Sequence, residues 1–395
     1  MSDQTGALAR DDWRAGGFGL YVHWPFCAAK CPYCDFNSHV VSQVDQRRWA
    51  SALTAEIQRL GRQVTGSARQ LGSIFFGGGT PSLMQPETVD AVIAAARGAW
   101  GFANDIEITL EANPTSVEQG RFQGFADAGV NRLSMGIQSL RDDDLRRLGR
   151  LHSVAEARAA FDIAQRCFDR VSFDLIYARQ DQTIDQWRAE LAEALAMAAD
   201  HLSLYQLTIE PGTAFGARHA AGSLRGLPDD DVSADMYLET LDICAARDMP
   251  GYEVSNHARA GAESRHNLVY WRQGDWAAVG PGAHGRLSLT DKRVATEALR
   301  APGAWLDAVE QQGSGEIALT DLSDQDQATE YLLMAMRLRE GVSTQRYERL
   351  SGQPLDAGAI DRLLDWGMIE RHGEHIAATR AGRPVLNAIL RELAA

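Results

Sequence analysis

The stretch Tyr21-Val22-His23-Trp24-Pro25-Phe26-Cys27-Ala28-Ala29-Lys30-Cys31-Pro32-Tyr33-Cys34-Asp35-Phe36-Asn37 decides the fold. It begins inside an apolar run, Leu20–Trp24, that reads as a strand, and it continues into three closely spaced cysteines. Spacings of four and three residues would align the thiols on one helix stripe. Pro25 and Pro32 oppose that, because Pro32 would sit inside the helix without an N–H to donate. A loop with converging thiols is the alternative. Structural zinc takes four protein ligands, so His23 or His39 would have to complete the set. Thiolates are the usual ligands of iron–sulfur clusters, and three of them on a cubane (Cys27, Cys31 and Cys34) leave one iron open to a small molecule. The other two of the five cysteines, Cys167 and Cys244, are isolated. An odd total with one tight group reads as a metal site plus two ordinary thiols, not a disulfide framework.

Outward from this loop, apolar runs at Ser73–Phe76, Ile106–Leu110, Arg132–Met135, Val171–Ile176 and Leu202–Leu207 alternate with helix-period segments such as Trp49–Leu60, Thr88–Ala99 and Ala155–Cys167. This strand–helix alternation predicts an α/β fold, a parallel sheet with helical crossovers. An open, partial (β/α)6 barrel and a doubly wound sheet both fit. In either, the cysteine loop lies at the C-terminal edge of the first strand, where ligand sites of parallel sheets collect. Pro211–Asp231, rich in Gly, Ala and Pro, reads as a long loop, and Ala234–Arg247 as a helix. Gly251–Leu289 shows little periodicity. Asp321–Arg339 and Ile360–Trp366 read as helices, followed by a hairpin around Gly373 and a last helix near Pro384–Leu393. That order predicts a small C-terminal winged-helix-like α+β domain. The expected boundaries are a core at 1–250, a distinct segment at 251–315 and the C-terminal domain at 316–395.

The formal net charge is 39 − 53 = −14. No general attraction to nucleic acid follows from it, and no Lys/Arg run supplies a local one. Winged helices often bind DNA, yet from Asp321 onward nine Lys and Arg face twelve Asp and Glu, which favours a packing or lid role. No stretch of about 18 apolar residues is present to span a membrane. Met1–Arg10 lacks the basic and apolar regions of an export signal, so a cytoplasmic protein with reduced thiols is expected.

Polar groups recur at successive strand ends. Gly77, Gly78 and Gly79, followed by Thr80 and Pro81, allow a backbone to approach a ligand closely. Glu111 follows the third strand and Gln138 the fourth, Arg150 comes a turn or two later, Asp174 lies in the fifth strand and Gln206 in the sixth. Strand ends of one sheet point to one mouth, so these groups should converge.

A Cys-x3-Cys-x2-Cys loop after the first strand resembles the radical S-adenosylmethionine (SAM) proteins. The resemblance implies that the open iron binds the amino and carboxylate groups of SAM and that an electron from the cluster cleaves it to a deoxyadenosyl radical. It further implies SAM contacts from Tyr21, Gly78, Gly79, Thr80, Glu111, Gln138, Arg150 and Asp174. The fuller string Tyr21–Cys27 looks like the branch of the oxygen-independent coproporphyrinogen III oxidases. After the fifth strand, relatives carry Gly-Leu-Pro where this chain has Ala178-Arg179-Gln180, which should reshape that loop.

Within the branch, an oxidase would decarboxylate two propionates by radical chemistry, whereas the HemW-type haem chaperones bind haem and pass it on. The oxidases have a fourth cysteine two residues beyond the third; here that residue is Phe36. They also carry a longer extension than the 26 residues preceding Cys27. His266-Asn267-Leu268-Val269-Tyr270-Trp271 matches the HNxxYW motif of the chaperones, and Gly280–Gly285 is similar to that branch. The resemblance therefore implies haem as cargo, with His266 as the expected iron ligand and His257 and His284 as alternatives, since imidazole is a normal axial ligand. It also implies acceptor haemoproteins, membrane-bound respiratory ones among them, allows a homodimer, and leaves coproporphyrinogen turnover unexpected. A zinc-stabilised binding module is the remaining reading.

Overall fold

The structure is a computed structural model that describes residues 11–64, 69–290 and 292–394. Met1–Arg10, on which the expectation about export rests, lies outside the described residues. Strand β1 (Phe18–Trp24) leads into the short parallel pair β2 (Phe26–Cys27) and β3 (His39–Val40). β4 (Leu71–Gly78), β5 (Phe102–Ala112), β6 (Arg132–Gln138), β7 (Arg170–Tyr177) and β8 (His201–Gln206) follow. Together with β1 they pair consecutively and in parallel. Helices Gln46–Gln63, Pro86–Trp100, Val154–Cys167 and Ile184–Met197 are among the crossovers. Their starts are fixed locally: Ser153 with Glu156 and Thr183 with Gln186 form capping boxes that satisfy otherwise unpaired first-turn N–H groups. β1 is buried along its length except at half-buried Tyr21, as expected for a parallel strand covered on both faces. This is the partial (β/α)6 barrel of the radical SAM type, left open because β1 and β8 are not partners.

The sheet continues beyond the barrel at both ends. β9 (Asn256–Ala258) runs antiparallel to β8. β10 (Asp275–Val279) pairs in parallel with the outer side of β1, and β11 (His284–Ser288), β12 (Arg293–Ala298) and β13 (Glu316–Asp321) extend it antiparallel. The aperiodic-looking segment 251–289 therefore contributes strands to the main sheet. All three are short, and β10 is buried on both faces except at half-buried Ala278, so it carries no clear alternation. The long loop expected at Pro211–Asp231 is interrupted by a helix, Ala214–Ala220, capped by Thr213. Its small residues and single buried side chain, Phe215, hid it from periodicity.

The C-terminal domain is winged-helix-like. Helices Asp324–Ala335, Thr344–Ser351, Ala357–Asp365 and Leu386–Leu393 surround a sheet of β14 (Val342–Ser343), β15 (Ile369–His372) and β16 (His375–Ala378), ordered β14-β16-β15. The hairpin turns at Gly373, as expected. β14 and helix Thr344–Ser351 were not expected: one is two residues long and the other buries only Arg346, Tyr347 and Leu350. The domain has its own apolar core around Leu332, Ile360 and Ile376. Among the described residues no helix is long and apolar enough to cross a membrane.

Candidate metal centre and ligand cavities

The cysteine loop is closed at its base by the β2–β3 pair, where Phe26 faces His39 and Cys27 faces Val40. Trp24, Phe26 and Trp49 pack edge-to-face below it, and Trp305 stacks on Trp49. Helix Ala214–Ala220 braces the outer side: the Phe215 N–H donates to Pro32 O at 2.8 Å, and its ring lies against Tyr33. The loop is thus held from three directions while its thiols face inward.

Cys27, Cys31 and Cys34 line a cavity of about 140 Å³ together with Gly78, Gly79, Thr80, Glu111, Gln138, Arg150 and Asp174. These residues come from the C-terminal ends of β4, β5, β6 and β7 and the segments that follow, so the predicted convergence on one mouth is present. The surroundings of the thiols suit cluster ligands chemically. Thr80 Oγ1 donates to Cys27 Sγ at 3.5 Å, and the Arg150 guanidinium donates to Cys31 Sγ at 3.4 Å. Such donors stabilise sulfur that carries negative charge. Gly78 has φ +113° and a Cβ there would lie 2.6 Å from the His23 ring, so the glycine segment can pass beneath β1 only without a side chain. Backbone bonds Gly79 N–H to Trp24 O (2.7 Å) and Thr80 N–H to Phe26 O (2.8 Å) hold it there.

Asn113 belongs to the same cavity and was not singled out in the sequence. Its Oδ1 accepts from Arg150 and its Nδ2 donates to Thr80 Oγ1 at 3.2 Å. Its position just past β5 was the available signal. Burial, then the charge of Asp174, pushes Glu111 up to about 8, against the Gly78 N–H that favours its anion. Burial raises Asp174 to about 6. Gln206 is exposed and lines a different cavity with Tyr237 and Arg383, so it does not join the group.

The loop after β7 is organised around Arg179. Its guanidinium is buried between Asp144 (2.9 Å) and Glu190 (2.5 Å) and reaches Ile176 O. Glu190 also accepts from Ser139 Oγ at 2.8 Å and Leu140 N–H at 2.7 Å. The segment behind Gln138, whose φ is +74°, is thereby tied to the β7 loop.

A second cavity, of about 500 Å³, adjoins the first; Phe36, Gly78 and Glu111 line both. Tyr21 is here, outside the cysteine cavity. Its hydroxyl donates to His23 Nδ1 at 3.0 Å, and His23 Nε2–H donates to Asn37 O at 2.9 Å. His266 lines neither cavity. It is buried, stacked on Phe75, with Nδ1 bonded to Ser73 Oγ (2.9 Å) and Nε2 to Tyr270 Oη (2.6 Å). Burial, then the charge of Arg132, lowers its pKa to about 3, so the ring is neutral. The structure therefore does not leave His266 free to ligate an iron, contrary to the sequence expectation: Nδ1 ties helix Arg265–Trp271 to Ser73 of β4, and Nε2 is held within the helix by Tyr270 one turn on. His257 is likewise buried, on β9 opposite Leu202 of β8.

Comparison with known proteins agrees with this geometry. The Radical SAM superfamily pattern matches residues 21–194, and the HemN C-terminal domain pattern matches 322–385. Heme chaperone HemW of Haemophilus influenzae is 36% identical over 94% of this chain and 96% of its own length. The chain belongs to the HemW family of radical SAM proteins. Another relative, the Bos taurus protein named radical S-adenosyl methionine domain-containing protein 1, mitochondrial, is 41% identical over 85% of this chain and 76% of its own length. The coproporphyrinogen III oxidase HemN of Escherichia coli superposes with a TM-score of 0.79 at 21% identity, over 96% of this chain and 92% of that one, a likeness of fold. Membership of the radical SAM superfamily implies a [4Fe–4S] cluster and SAM, and the three-cysteine cavity suits the HemW family in that respect.

Proposed function

We propose that this chain is a haem chaperone, binding haem and transferring it to acceptor haemoproteins, with a [4Fe–4S] cluster on Cys27, Cys31 and Cys34. SAM would lie in the cysteine cavity against Gly78, Gly79, Thr80, Glu111, Gln138, Arg150 and Asp174, with Tyr21 behind Glu111. The cluster supplies one-electron chemistry when present; this chain's residues orient the ligand and hold donors on the sulfurs. The end-to-end relation to proteins named as HemW haem chaperones carries the reading. Phe36 supports it, standing where an oxidase would place a fourth cysteine. A cytoplasmic location and respiratory haemoproteins as acceptors belong to the same proposal.

The test runs two assays on one anaerobically reconstituted preparation. Haem transfer to an apo-haemoprotein is expected, with no protoporphyrinogen formed from coproporphyrinogen III, SAM and a reductant. Clear oxidative decarboxylation without haem transfer would replace the proposal by the oxidase reading.

A further inference from the structure

We infer that haem docks in the 500 Å³ aromatic cavity beside the cysteine loop, with His284 as its axial ligand and Arg300 meeting a propionate. This rests on the haem-chaperone reading and adds the place and the ligand. Three imidazoles lie at or behind this cavity. His23 spends one nitrogen on Tyr21 and the other on Asn37. His266 spends both on Ser73 and Tyr270 and is sealed from the cavity. His284 is exposed and lines the cavity wall, and its ring has no hydrogen bond among those of the described residues. A metal ligand needs a nitrogen lone pair that nothing else holds, and His284 alone of the three offers one.

The position of His284 is nevertheless rigid. It opens β11 opposite Glu297 of β12, and its carbonyl accepts from Trp276 Nε1 at 2.8 Å. Gly280, at φ +106°, passes so close to β1 that a Cβ would meet His23 O at 2.3 Å, which fixes the approach of the strand. The walls suit a flat macrocycle: Tyr21, Phe36, Tyr270 and Trp276 supply aromatic surface, and Phe36 is 59% exposed at the mouth. The volume falls within the ~300–1,000 Å³ of small-molecule sites. Arg300 lines the same cavity, and its guanidinium has no carboxylate partner among the described residues. Asn37 Nδ2 donates to Arg300 O and Pro281 O, both at 2.9 Å, fastening this wall to the cysteine loop. A single imidazole on an exposed strand end, in a cavity open to solvent, suits a cargo that must be released. Bound haem would also abut the cluster cavity, through Phe36, Gly78 and Glu111.

The experiment titrates hemin into the reconstituted protein and reads ferric haem by electron paramagnetic resonance, in which the oxidised cubane is silent. Wild type should give an imidazole-ligated signal. His284→Ala should lose it and bind hemin about tenfold or more weakly, while keeping its iron and sulfide content. Added imidazole should restore the signal in His284→Gly, and Arg300→Gln should weaken binding without changing the signal. An unchanged signal in His284→Ala, or its loss only in His266→Phe, overturns the assignment while leaving the haem reading intact. Failure of wild type to bind hemin overturns both.

Discussion

Cys27, Cys31 and Cys34 stand with their thiols toward one cavity because the chain leaves β1 and returns at β3 with both ends clipped. Anaerobic reconstitution should load about four irons per chain on this site, and Cys31→Ser should reduce that to background by iron analysis. Glu111 carries a pH dependence. Burial and Asp174 raise its folded pKa to about 8 from 4.5, so the folded state holds this proton more tightly than the unfolded one. Stability of the cofactor-free protein should then fall as pH rises through that window, by up to ~1.4 kcal/mol per pH unit. Asp174, raised to about 6, adds in the same direction at lower pH. Thermal melts between pH 5 and 8 should show Glu111→Gln with a flatter profile than wild type; an equal slope would remove Glu111 as the cause. At this scale the cysteines, Glu111, Gln138, Arg150 and Asp174 were legible because β1 and β4–β7 deliver their ends and following loops to one edge, whereas Gln206, at the end of β8, lines another cavity. His266 was not, because its sequence motif cannot say that Ser73 and Tyr270 occupy its nitrogens.

Between elements, the loop following β7 is held by a buried ion pair. Arg179 takes the middle of the Ala178-Arg179-Gln180 segment and is buried on Glu190, which in turn holds Ser139 and Leu140. Removing one member of a buried pair strands the other charge. Arg179→Ala should therefore cost on the order of 3 kcal/mol in denaturant unfolding and weaken SAM binding through the displaced Gln138 segment. Unfolding that matches wild type would show the pair to be solvated. The alternation of elements was readable from apolar periodicity. Helix Ala214–Ala220, which braces the cysteine loop through Phe215, was not, since one buried side chain makes no period.

Across the molecule, two apolar cores are joined by ion pairs, the most buried of which links Arg346 of the C-terminal domain to Asp12 at 2.6 Å. Arg346 also donates to Arg272 O at the end of helix Arg265–Trp271. Arg346→Met should leave both acceptors unpaired, cost on the order of 3 kcal/mol, and separate an earlier C-terminal transition in calorimetry. A single unshifted transition would mean that the cores are coupled elsewhere. The sequence by itself determined the alternation of strands and helices, the cysteine loop and the polar groups near strand ends, because periodicity and chain direction are local properties; the order β1-β4-β5-β6-β7-β8 came from the tertiary structure. It also indicated the C-terminal domain from its helix–hairpin–helix order. Only the tertiary structure decided that β10 joins the outer side of β1 and brings the 276–300 segment beside the cysteine loop. That pairing joins residues some 250 positions apart, and it alone reveals which histidine has a free nitrogen facing a cavity.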